Sequence, residues 1–145
     1  MSTPTPEVVS SEIQLRLVVP GSTSLPVLAN ISYEPTDPYA VHVAFHTGGE
    51  RGIVQWSFAR QLLTDGVGRA VGEGDVRVWP TRIDGVPTVC LALSSPSGSA
   101  VFEVGQAELV EFLTRSYAVV PTGNETDFID FDAELALLLW DGDAE

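Results

Sequence analysis

The chain has 145 residues, the size of one domain built around one core. Seven basic residues, all arginine, oppose twenty acidic ones for a formal net charge of -13; this excludes an electropositive nucleic-acid groove unless the arginines converge, and argues against an anionic membrane surface. Cys90 is the single cysteine, so no disulfide framework is possible, and 44% hydrophobic content with thirteen glycines and ten prolines points to strands joined by tight turns.

In chain order, residues 1–11 read as a flexible arm, and MSTPTPEVVSSE does not read as a signal peptide, since it lacks the basic-then-apolar order of one. A single domain is expected over 12–140, followed by an acidic tail, 141–145. Apolar residues alternate from Ile13 to Val19, the period of a half-buried strand, and Pro20-Gly21-Ser22 ends it. A second extended run covers Leu25 to Tyr33. The turn Glu34-Pro35-Thr36-Asp37-Pro38 follows, and Tyr39 to His46 resumes the strand with Val41, Val43 and Phe45 on one face. Thr47-Gly48-Gly49-Glu50 reads as a hairpin returning through Ile53, Val54 and Trp56.

Ser57 is expected to cap a short helix, FARQLL, which Asp65-Gly66 stops. Beyond a glycine-rich loop, strands recur at Val76–Pro80, Val86–Leu93 and Ala100–Val104, with turns at Asp84-Gly85 and Ser95-Pro96-Ser97-Gly98. Leu109, Phe112, Leu113 and Tyr117 give a second helix its apolar stripe from Gln106 to Tyr117, and Phe128, Phe131, Leu135 and Leu138 suit a third, C-terminal helix. The order is strands, helix, strands, helix: an α+β fold. The run LALLLW is far shorter than the ~20 residues that span a bilayer, so a cytoplasmic protein without direct membrane insertion is expected.

Gly66, Gly68, Gly72 and Gly74 lie within nine positions, yet this is not a phosphate loop. Such loops follow a strand and open a helix, where backbone N–H groups face the anion. Here the helix comes first, the spacing differs from G-x-G-x-x-G, and Asp65, Glu73 and Asp75 add negative charge. The glycines are expected to supply positive φ angles. His42 and His46 sit about 13 Å apart on an extended strand, too far to share a metal, and no G-x-S-x-G frames a nucleophile. Catalysis is therefore the weaker reading, with no cofactor or metal expected. Trp56, Trp79 and Trp140 belong to a core or an interface; Arg77, Trp79 and Arg82 are expected on the strand face opposite Val76 and Val78, forming a contact patch.

The strings LRLVVP, SLPVLA, DPYAVHVAFHTG, WSFARQLL, GDVRVWP, CLALSSPSG and FLTRSYAVVP resemble the SsgA-like family of actinobacterial sporulation and cell-division proteins, in order and over nearly the whole chain. The resemblance implies two sheet-plus-helix units like the whirly single-stranded-DNA-binding fold, associating as a homotrimer. It also implies a non-enzymatic cytoplasmic role: marking division septa and recruiting the tubulin-like protein FtsZ, with an SsgA-type partner. The alternative it raises, a single-stranded nucleic-acid-binding module, conflicts with the charge, so no nucleic acid is expected. Two acidic proteins associate best through apolar or arginine-rich surface. Arg60, Arg69, Arg77 and Trp79 near the glycine loop are thus the expected partner-binding residues, with Asp37 and Tyr39 either a second cluster or turn chemistry.

Overall fold

The computed structural model describes residues 8–19, 21, 24–46, 52–96 and 98–125. They form β1 (Val9–Leu17), β2 (Leu25–Tyr33), β3 (Ala40–His46), β4 (Ile53–Ala59), α1 (Arg60–Gly66), β5 (Val76–Ile83), β6 (Val86–Ser95), β7 (Gly98–Gly105) and α2 (Gln106–Val119). The expected third helix and Trp140 lie outside the described residues.

The strands form one sheet in the order β4-β3-β2-β1-β7-β6-β5, antiparallel throughout. The repeated pattern of a meander followed by a helix is present, but the halves are not separate sheets. A short β1–β7 pairing, Arg16 with Glu103 and Leu17 with Phe102, joins them. β1 also starts inside the stretch expected to be a flexible arm. Pairing of Val9 with Tyr33 draws Val9 into the core even though Ser10, Ser11 and Glu12 interrupt the apolar alternation.

Side-chain parity gives the sheet one apolar face. Leu15, Ile31, Val41, Phe45, Val89 and Phe102 are buried on it, and α1 and α2 cover it with Leu63, Leu109, Phe112 and Leu113. Each such side chain contributes roughly 1.5–3 kcal/mol on burial, as an upper bound.

The sheet is strongly curled. Laid flat, β3 and β7 would be about 14 Å apart, with β2 and β1 between them, yet the Phe45 and Phe102 rings stack at 4.6 Å. The edges tell the same story: α1 packs against both β4 and β5 but is only about 10 Å long, whereas a flat seven-stranded sheet would hold its edges about 29 Å apart.

α1 begins later than its local sequence suggests. Ser57 does not cap it; β4 continues to Ala59, which pairs with Ala40 and precedes the helix without a side-chain cap. The strand ladder wins over the local capping option because each further residue of β4 satisfies backbone groups against β3.

The glycine loop turns the chain rather than holding an anion, and its glycines act in two ways. Gly72 and Gly74 have positive φ, +99° and +72°, as expected, but Gly66 and Gly68 do not. Gly66 is instead demanded by space, since a Cβ there would collide with Val78 Cγ1 and Cβ, where the helix end lies against β5. Gly68 has only the Asp65 carbonyl oxygen at 4.0 Å. Gly66→Ala is therefore expected to destabilise the protein by about 1–3 kcal/mol. Gly68→Ala should stay within about 0.5 kcal/mol of wild type, and parallel urea titrations compare the two.

Candidate partner-binding surface

Along β5, Val76 and Val78 face the core while Arg77 and Trp79 point to the convex side. The β5–β6 register runs without a bulge. Arg82 therefore shares the parity of Val78, not of Trp79, which corrects its expected place on the patch; it donates from Nη1 to the Gly85 carbonyl at the β5–β6 turn instead. The loop folds back so that Val71 and Val78 exchange backbone hydrogen bonds of 2.8 and 2.9 Å. This sets Ala70, Val71 and Gly72 beside Arg77 and Trp79 around a shallow pocket of ≈ 380 Å³. Arg69, next in the chain to Ala70, is exposed and pairs with Asp65 across 3.4 Å.

Trp79 lies directly across from Cys90, Cys90 from Glu103, and Glu103 from Arg16, so a single row crosses four strands on the convex face. Cys90 is buried although it points away from the helices. Trp79 is the largest side chain in that row and stands on the outer strand. Burial, with Glu103 adding to it, pushes the Cys90 thiol up, as suits an inert small hydrophobe.

Arg60 does not belong to this surface. It is 1% exposed, its guanidinium carbon lying 4.6 Å from the Tyr33 ring centroid and 3.9 Å from that of Tyr117. Nη1 donates to the Ser116 carbonyl, and Nη2 meets Glu125 Oε2 at 3.1 Å. A buried arginine is tolerable only when paired and bonded in this way. Its neighbours bear the marks: burial pushes the Tyr33 phenol up to about 12, keeping it a donor to the Pro38 carbonyl at 2.8 Å. Glu125 is held below the usual carboxylate range by backbone N–H groups, its own first, and by the Arg60 guanidinium.

Asp37 and Tyr39 occupy the turn between β2 and β3, on the β4 side of α1, away from Arg77 and Trp79. The Asp37 N–H donates to Glu34 O, its carbonyl accepts from the Ala40 N–H, and Tyr39 O accepts from the Arg60 N–H. The Tyr39 ring is exposed. The Asp37 carboxylate has a further role, because His42 Nε2 lies 3.0 Å from Oδ2 while His42 Nδ1 lies 2.8 Å from Ser57 Oγ. Asp37 thereby ties the turn to β4. Sequence reasoning missed this relay; the available signal was that His42 and Ser57 fall in the two strings flanking one hairpin. The structure thus brings together Arg77 and Trp79, leaves Arg69 on the adjoining loop paired with Asp65, keeps Arg60 inside, and sets Asp37 and Tyr39 apart.

Fold and surface together define a small acidic α+β protein that presents arginine and tryptophan on the outside of a curled sheet. Residues 27–125 match the family model described as Streptomyces sporulation and cell division protein, SsgA. Sporulation-specific cell division protein SsgB of Frankia casuarinae is 55% identical over 134 residues, covering 92% of this chain and 93% of its own. The protein of that name from Streptomyces coelicolor is 52% identical over 131 residues, covering 90% and 95%. An SsgB structure, solved in work correlating mutations with longitudinal cell division during sporulation of Streptomyces coelicolor, superposes with a TM-score of 0.82 at 49% identity, covering 88% of this chain and 99% of its own. The crystal structure of an SsgA-like sporulation-specific cell division protein from Thermobifida fusca gives 0.82 at 45%, covering 93% and 98%. The chain belongs to the SsgA family of sporulation and cell-division proteins.

The Arg60 cage gives a pH-dependent prediction. Because the folded-state carboxyl of Glu125 ionises below its ordinary range, its contribution is complete above that range and disappears as pH falls through the folded value. Glu125→Gln should therefore be less stable than wild type at neutral pH. The gap in thermal midpoint should close on acidification below the ordinary carboxylate range.

Proposed function

We propose that this protein is a non-enzymatic regulator of cell division, acting in the cytoplasm to mark septation sites and recruit the tubulin-like protein FtsZ. Arg69, Arg77 and Trp79 form the contact surface. The membership of a sporulation and cell-division family supports the process. The observation that carries the contact is that Arg77 and the half-buried Trp79 sit side by side on the convex face, beside a shallow pocket, in a chain with few cations. Between two acidic proteins, charged rims repel, so a centre of indole and guanidinium is the arrangement that can bind. A homotrimer with an SsgA-type partner fits this mode of action, because several weak sites on one assembly raise the effective concentration of filament ends around it. No helix among the described residues is long and apolar enough to cross a membrane, so septal recruitment is assigned to protein contacts.

Titration of purified FtsZ tests the proposal. Arg77→Glu and Trp79→Ala should each weaken binding by about tenfold or more, near 1.4 kcal/mol, with far-UV spectra and melting unchanged. Single-stranded DNA should not compete. Undiminished affinity in both folded variants would remove the patch, and displacement by the oligonucleotide would favour the nucleic-acid reading.

A further inference from the structure

Among the described residues β4 is the outer strand of the sheet, and the direction of its outward backbone groups is fixed by one hydrogen bond. The Arg60 N–H donates to Tyr39 O, on the same register that pairs Ala40 with Ala59 and His42 with Ser57. Residues 39 and 60 are therefore a hydrogen-bonded pair, and alternation makes His42–Ser57, Ala44–Gln55 and His46–Ile53 the non-hydrogen-bonded pairs. The backbone N–H and C=O groups of Ile53, Gln55 and Ser57 consequently point away from β3. All three residues are exposed. No charged side chain lies on β4, so the electrostatic guard that edge strands usually carry is missing.

The two flanks of this edge differ in chemistry. On the concave side Val54 and Trp56 border an apolar cleft of ≈ 330 Å³ with Phe45, Leu93, Ala100 and Phe102, at the mouth of the curled sheet. On the convex side Gln55 and Ser57 border a larger polar pocket of ≈ 610 Å³ with His42, Glu34 and Asp37. α1 packs against the base of β4, so an incoming strand has room only along Ile53–Ser57.

We propose that β4 accepts an extended segment of a partner protein as an eighth, antiparallel strand. That segment carries apolar residues at one set of alternate positions and basic residues at the other. Residues opposite Val54 and Trp56 send their side chains into the apolar cleft, and those opposite Gln55 and Ser57 send theirs toward Glu34 and Asp37. Period-two recognition follows from the pleat, and the basic half from the two carboxylates and the net charge of -13. This surface is distinct from the Arg77–Trp79 patch on the opposite edge of the sheet, and stands independently of it.

A short labelled peptide of alternating lysine and valine, titrated by fluorescence polarisation, tests the proposal. It should bind more tightly than a block peptide of the same composition. N-methylation at the lysine amides, which face β4, should abolish binding, whereas methylation at the valine amides should spare it. Gln55→Pro removes an outward N–H without touching the β3–β4 ladder, a position where an edge strand tolerates proline, and should weaken binding by about tenfold. The methylated peptides report even if that variant fails to fold. Equal binding of alternating and block peptides, or equal loss from both methylation patterns, overturns the proposal. So does self-association of the protein that Gln55→Pro abolishes while the peptide fails to bind, because the occupant is then a second copy.

Discussion

The architecture turns on one buried guanidinium. Arg60 stands where β4 becomes α1, between the Tyr33 ring of β2 and the Tyr117 ring of α2, and reaches the Ser116 carbonyl and Glu125. A charge at 1% exposure persists only if every part of it is answered. Here two aromatic faces, a carbonyl and a carboxylate supply that answer from three places in the chain. Satisfying the charge therefore requires the sheet edge, the second helix and the segment after it to meet at one point. No acidic side chain lies in the first turn of α1 and no side chain caps it, so the helix start is placed by this cage and by β4, not by its own cap.

The meeting of those elements accounts for the curl. A helix of two turns links β4 to the glycine loop and packs on β5, so the opposite edges of a seven-stranded sheet are pulled toward each other. Gly66 lets the helix end touch Val78, and Gly72 lets the loop turn back so that Val71 pairs with Val78. Curling also separates the surfaces by chemistry. The concave side is filled by the core and the helices except at one mouth, where exposed Val54 and half-buried Trp56 border a cleft backed by the buried Phe45 and Phe102. The convex side carries Trp79 and Arg77 at one edge and the Asp37–His42–Ser57 relay near the other.

Scarcity of positive charge gives each arginine weight. Among the described residues, Arg60 is consumed by the core, Arg82 by its own turn, and Arg115 by Ser11 and the Ser10 carbonyl. Arg16 pairs in register with Glu103 and bonds Ser24. Arg69 pairs with Asp65 on the helix end, and Arg77 is left beside the loop. A surface with two cations and an indole in so acidic a protein is selective by default, since most of the remaining exterior repels an anionic partner.

Much of this was legible in the linear chain. The run from Leu25 to Tyr33 is the strand observed, Asp84-Gly85 is a turn with both residues at positive φ, and the order of strands and helices follows from periods of two and 3.6. The family strings were legible too, because they are local and unusual. Other features were not, for a common reason: they depend on which residues lie opposite one another. Ser57 has the chemistry of a helix cap, and pairing with His42 made it part of a strand. Arg60 has the chemistry of a surface cation, and two tyrosines 27 and 57 positions away made it part of the core. Local sequence determined where the chain extends, coils and turns, since backbone propensity and apolar spacing act over a few residues. Among the described residues, tertiary structure alone decided the curl of the sheet, the fate of each arginine and the outer position of β4, since each of these is a matter of register and closure between segments far apart in the chain.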